Sequence, residues 1–182
     1  MTQDGVPPDD TAPCIGCGLC CDGTLYDRAK VAEGEEGTLV ALGLELEKTS
    51  ERTYFRQPCK FHSCGQCTNY QDRWAVCRSF RCSLLRRYQS GELGLDEARA
   101  TVETALRLRA AVTAADQPAA VVGHRRRLRR ALAADLKRDA SGGDSIGRRL
   151  INIIALDTLL EQQFRNRKAD PISPVEKPSG DG

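Results

Sequence analysis

Apolar residues recur at helical spacing only in the second half of this chain. In LDEARATVETALRLRAAVTAAD, residues 95–116, Ala98, Val102, Ala105 and Leu106 fall on one stripe and Asp96 offers a cap. Pro118 then ends or restarts that helix. A second helix is predicted from about Ala119 to Ala140, with Leu128, Leu132 and Leu136 along one side. The third, from about Ser145 to Arg167, has the best pattern: Ile146, Leu150, Ile153, Ile154, Leu160 and Phe164 follow helical spacing. Together they predict a three-helix antiparallel unit.

The first half has no such period. EEGTLVALG, residues 35–43, predicts a short helix stopped by Gly43, and ERTYFRQ, residues 51–57, has the aromatic and threonine content of a strand. Pieces this short do not fold by burial alone. Aromatics make up 5% of the chain, so its core must be built from Ala, Leu, Val and Ile, which favours helices over a sheet sandwich. The expected fold is mainly α with a small, irregular α+β cysteine-rich module: an N-terminal half stapled by metal, followed by about three helices. The expected organisation is a disordered lead-in over 1–12, a cysteine-cluster metal-binding module over 13–92, a helical region over 93–168 and a disordered tail over 169–182.

Charge changes this picture little. With 27 basic and 25 acidic residues the net charge is +2, without the global field of a general nucleic-acid binder. No apolar run reaches the roughly 18 residues that cross a bilayer. The start, MTQDGVPPDDTAP, is acidic and proline-rich, unlike a basic, apolar signal peptide. The expected location is therefore the cytoplasm, with no membrane partner and no nucleic acid. In that reducing compartment a dense thiol cluster points to a metal or redox centre rather than to disulfides. All nine cysteines lie between residues 14 and 82.

Cys14, Cys17 and Cys20 follow C-x-x-C-x-x-C, with Cys21 adjacent; Cys59, Cys64, Cys67, Cys77 and Cys82 form the second group. Three thiolates at steps of three can curl around one centre, and Gly16 and Gly18 permit that turn and leave amides free to donate to sulfur. The same triple spacing occurs in bacterial ferredoxins, where a distant fourth cysteine completes the ligand set of a [4Fe–4S] cluster. Zinc sites more often use two separated C-x-x-C pairs, and Cys64 with Cys67 could supply one. An iron–sulfur cluster is the preferred reading and zinc the alternative. Adjacent cysteines such as Cys20 and Cys21 point in different directions and so do not chelate one ion together; they could serve two centres.

CIGCGLCCDGTL, residues 14–25, taken with PCKFHSCGQCTNYQDRWAVCRSFRCSLL, residues 58–85, resembles the CxxCxxCC proteins, a bacterial cysteine-cluster family described as zinc- or iron-chelating. The resemblance covers about residues 14–90. It rests on the cluster, then Pro58–Cys59, then Cys67 before an aromatic at Tyr70, then Cys77, Arg78, Phe80 and Cys82. The family's Arg-Pro step stands here as Arg73–Trp74, without the proline turn, and Cys64 has no counterpart in the pattern. The resemblance thus implies eight metal ligands: Cys14, Cys17, Cys20, Cys21, Cys59, Cys67, Cys77 and Cys82. It also implies a supporting role for Arg78 beside the metal-bound sulfur of Cys77. One branch of the family, the flagellin lysine N-methylases, pairs such a cluster with methyl transfer from S-adenosylmethionine, which gives an enzymatic alternative by analogy.

The remaining residues have plainer readings. Arg73, Arg78 and Arg81 flank the second thiol group and would offset thiolate charge. His62 is expected at the surface rather than as a ligand, since cysteines suffice. HRRRLRR, residues 124–130, could contact phosphate, RNA or an acidic partner, but it is expected to be the solvated side of an amphipathic helix, with Leu128 on the apolar stripe. Tyr70, Trp74 and Phe80 are expected to pack around the metal site. With two histidines there is no catalytic triad, so any chemistry must run through sulfur or metal. Three functions follow: an accessory redox or metal-handling factor whose protein partner docks on the helical region, a protein-modifying enzyme, or a structural zinc module.

Overall fold

The computed structural model describes residues 11–113, 121–138 and 143–166. Residues 1–10 of the lead-in expected over 1–12, the break at Pro118, the start of the second helix at Ala119 and the tail from Ala169 lie outside these residues. Within them the fold is mainly α with a small α+β cysteine-rich part, as the pattern predicts.

Three short strands, β1 (Arg28–Lys30), β2 (Leu46–Lys48) and β3 (Thr53–Arg56), form an antiparallel sheet in the order β1-β3-β2. Phe55 is its centre, opposite Ala29 on one side and Leu46 on the other, and is almost fully buried. The predicted strand over 51–57 is therefore β3, trimmed at both ends. Between β1 and β2 lies α1 (Glu36–Ala41), which buries Leu39. It stops where Gly43 adopts φ 75°, a conformation that only glycine enters freely.

A hairpin of two-residue strands follows, β4 (His62–Ser63) and β5 (Gln66–Cys67), in antiparallel register. Its turn is Cys64–Gly65, both with positive φ, the requirement of a type I′ turn. Two short helices, α2 (Ala75–Ser79) and α3 (Ser83–Gln89), carry the chain into the helical region.

That region consists of α4 (Leu95–Thr113), α5 (Val122–Arg138) and α6 (Gly143–Leu159), the last continued by a π-helical turn over Leu160–Phe164. Helix α6 packs against both α4 and α5. The predicted stripe of α4 is buried at Ala98, Val102 and Ala105. Asp96 is not its cap: the Ala98 N–H donates to the Gly94 carbonyl, so Asp96 sits inside the first turn, where its charge complements the helix dipole. On α6, Ile153, Leu160 and Phe164 are buried as predicted, but Ile154 is exposed and Leu156 takes its place inward. Leu136 on α5 is likewise exposed.

Burial divides into two cores. The larger joins Leu19 and Leu25 of the cysteine loop to Cys82, Leu84 and Leu85 of α3 and to the inner faces of α4, α5 and α6. The smaller is formed by Ala29, Val31, Leu39, Leu44, Phe55, Trp74 and Val76. Tyr26 and Phe80 contact both, their rings meeting edge to face at 5.6 Å.

Candidate metal centre

The first thiol loop is wound by its glycines. Gly16 and Gly18 have φ of 81° and 63°. The Cys17 N–H donates to the Cys14 carbonyl at 3.1 Å, and the Cys21 and Asp22 N–H groups both donate to Gly18 O. Leu19, fully buried, pins this coil into the larger core. The hairpin lies directly on the loop: a Cβ at Gly65 would stand 2.6 Å from Gly16 O, and a Cβ at Gly18 would collide with the His62 ring. Neither contact survives any residue but glycine. The Cys59 N–H donates to Cys21 O at 2.7 Å, which locks the start of the second cysteine group to the end of the first.

All nine cysteines are free thiols. Eight of them sort into two sets by which thiolates feel one another. Burial pushes the Cys17 thiol up from its ordinary 9.0 to about 12, and the nearby charges of Cys82 and Cys14 add to the rise. Cys20 is raised well above 9.0 by burial and then by Cys82, Cys17, Cys21 and Cys14. Cys14, Cys17, Cys20 and Cys82 are thus one neighbourhood.

The second forms in the same way. Burial pushes Cys21 up to about 12, with Cys59 and Cys67 the nearest like charges. Cys77 is raised by burial and then by Cys21, Cys59 and Cys67; Cys59 is raised by burial and then by Cys67. Cys20 and Cys21, joined by one peptide bond, are where the sets touch: Cys21 acts on Cys20, but its own rise comes from burial and then from Cys59 and Cys67.

Backbone amides oppose this rise at particular sulfurs. Leu19 N–H acts on Cys17 and Phe61 N–H on Cys59, each two residues further along. At Cys82 three amides act, those of Leu85, Leu84 and Cys82 itself, because its sulfur caps α3 and accepts the Leu85 N–H at 3.5 Å. Such donors favour the charged thiolate, the form that binds metal. Cations are distributed likewise: Arg73 acts on Cys21 and Cys77, Lys60 on Cys59, and Arg86 on Cys82.

The donor chemistry therefore fits a zinc or iron centre: soft thiolates in two groups of four, with amides and cations aimed at them. Among the described residues, no three Cys, His, Asp or Glu side chains stand arranged around one point as an ion needs.

The other residues singled out in the sequence take up varied positions. Cys64 occupies the exposed hairpin tip, outside both sets. Arg78 on α2 is exposed, and its carbonyl accepts from Arg81 at 2.7 Å. Trp74 is buried in the smaller core and Phe80 bridges the two. Tyr70 is 47% exposed, with the Arg73 guanidinium stacked 3.7 Å over its ring. His62 is not a surface residue: it is half-buried against Gly18, and its Nε2 atom is buried without a hydrogen-bond partner.

Sequence reasoning missed the polar contacts that tie the cysteine loop to the helices. Arg125, expected on a solvated face, is fully buried; its Nε donates to Asp157 Oδ1 at 2.7 Å and another guanidinium nitrogen to Thr24 O at 3.0 Å. The buried carboxylate of Asp22 accepts from Thr24 N–H and pairs with Arg109 on α4 at 2.7 Å. Arg165 donates to Leu25 O at 2.9 Å. A signal existed for Arg125, which stands three residues after Val122 and seven before Leu132, on the buried stripe.

The family model for CxxCxxCC, described as a "putative zinc- or iron-chelating domain", matches residues 13–104. Neither the curated proteins nor the solved structures gave a match. The matched span takes in every cysteine and ends within α4, and it covers half of the chain. With that match and two groups of thiols drawn from its motifs, the chain belongs to the CxxCxxCC family of metal-chelating cysteine domains.

Proposed function

We propose that this protein holds two four-thiolate centres, Cys14, Cys17, Cys20 and Cys82 at one and Cys21, Cys59, Cys67 and Cys77 at the other. The observation that carries the reading is the partition: each set is coupled within itself, and the adjacent Cys20 and Cys21 are the point where the sets meet. Four buried thiolates repel one another and lose hydration, and a cation that neutralises them removes both penalties.

For the first set the C-x-x-C-x-x-C spacing with a distant fourth cysteine supports an iron–sulfur cluster. The donors of the second suit zinc or a further cluster equally. When bound, an iron–sulfur cluster supplies one-electron transfer. The chain's own residues orient the sulfurs, through the amides of Leu19, Phe61 and Leu85, and screen them, through Tyr26, Phe80 and Trp74. This makes the protein an accessory redox or metal-handling factor of the cytoplasm, serving a protein partner that engages the helical region.

Anaerobic purification with analysis of iron, zinc and acid-labile sulfide tests the reading. Cys82→Ser is expected to remove the metal of the first set and keep that of the second, Cys77→Ser the reverse, and Cys64→Ser neither. The proposal fails if Cys64→Ser lowers metal content as much as Cys82→Ser does, or if neither Cys82→Ser nor Cys77→Ser changes it.

A further inference from the structure

The arginine-rich stretch of α5 meets the end of α6 in a groove of about 440 Å³ lined by Arg126, Arg129, Arg165, Thr158 and Gln162, with Asp157 and Glu161 between them. Its two carboxylates are already committed or distant. Asp157 is divided between Arg125 at 2.7 Å and Arg129 at 3.2 Å, and Glu161 approaches Arg165 only to 3.7 Å. Arg126 has no acidic partner among the described ion pairs. Three guanidiniums, at 126, 129 and 165, thus line the groove against two carboxylates, an excess of one positive charge, and the buried Arg125 behind them draws on Asp157 as well. The buried Arg125 registers the crowding: burial lowers its pKa, Asp157 offsets this, and Arg165 and Arg126 lower it further.

The floor of the groove is held in place. Among the lining cations Arg165 is anchored to Leu25 O, and Arg125, buried behind the groove, fixes Asp157 and donates to Thr24 O, so both hold to the chain that leaves the cysteine loop. Anchored donors lose little freedom when a ligand arrives. The volume suits a small organic molecule. No aromatic side chain lines the groove, so nothing there stacks a nucleobase. We propose that this groove binds a small polyanion, a phosphorylated or polycarboxylate molecule, with Arg126, Arg129 and Arg165 as its charged contacts and Thr158 and Gln162 as its neutral ones. The site is separate from the thiols and does not depend on which metal they hold.

Titration calorimetry of the full chain with pyrophosphate and, separately, with citrate tests this at low ionic strength. One equivalent of either anion is expected to bind; pyrophosphate alone assigns the phosphate class and citrate alone the carboxylate class. Arg126→Ala is expected to weaken binding about tenfold or more, the loss of one charge-assisted contact. Arg127→Ala removes the same charge from an exposed position outside the groove and should change affinity by less than about twofold. The proposal is overturned if neither anion binds at millimolar concentration, if both variants weaken binding equally, or if a single-stranded RNA oligonucleotide binds where both anions fail.

Discussion

The two thiol sets sit in unequal surroundings. Cys17, Cys20 and Cys82 border a core of fifteen buried residues that runs through α3, α4, α5 and α6. Cys59 and Cys77 border one of seven, set around a three-stranded sheet whose strands are three and four residues long. The larger core rests on helices of 19, 17 and 17 residues that satisfy their own backbone hydrogen bonds, whereas the smaller rests on strands of three and four residues, too short to be stable without further ties. The same ligand chemistry thus has two structural consequences. Under the proposed assignment, metal at the first set would join an already ordered helical scaffold, and at the second would supply much of the order.

Removal of metal is the widest test of this contrast, since a structural ion of this kind contributes on the order of 10 kcal/mol. After chelation, segment 26–80 is expected to become protease-sensitive and to lose amide protection, while α4 and α6 keep theirs. Uniform resistance across the chain would show that the sheet core stands alone.

Alkaline pH acts on the same sites with a sign that can be worked out. Cys17, whose helical surroundings are expected to outlast chelation, is raised from 9.0 to about 12 in the folded chain, so the folded state favours its protonated thiol. In metal-depleted protein that stability is complete below about pH 9 and is lost as pH climbs toward 12. Circular dichroism is expected to show unfolding in this window for the depleted protein, and resistance for the metal-loaded one, whose thiolates are already ionised and neutralised. Identical alkaline midpoints would remove the thiols from the account.

Next in size is the clamp between the regions. Arg125→Ala leaves the Thr24 carbonyl without its donor and Asp157 with Arg129 alone, at a cost of about 3 kcal/mol. Urea denaturation is the measurement. The clamp joins the cysteine loop to the helices, so the loss should appear as a lower midpoint of the helical transition.

The helical half was legible because burial there follows a period of 3.6: Ala98, Val102, Ala105, Ile153, Leu160 and Phe164 were all identifiable as inward-facing. The thiol cluster was legible from spacing. A parting at Cys20 and Cys21 could be read from their adjacency, but which distant cysteines go with each could not, because Cys59, Cys67, Cys77 and Cys82 reach their neighbours only through the fold. Cys82 joining the first set rather than its sequence neighbour Cys77 follows from its position at the start of α3, behind the turn at Phe80. Arg125 escaped notice because its type says surface while its position says core, and its partner Asp157 lies 32 residues away on another helix.

The smallest expected effect concerns the cysteine that belongs to neither set. Cys64 holds φ 49° at the first central position of the hairpin turn, where an L residue with a Cβ is strained and asparagine is the favoured occupant ahead of glycine. Its only described side-chain contact is a 3.9 Å approach of the Ser63 hydroxyl to its sulfur. Cys64→Asn should therefore keep the full metal content and raise stability by roughly 0.5 kcal/mol, as local strain falls without any change in packing. The readout is a small rise in Tm measured with metal bound, set beside metal stoichiometry on the same sample. A drop in either would mean that the hairpin tip reaches the second set when metal is bound, and that the sheet side of the molecule commits five thiols rather than four.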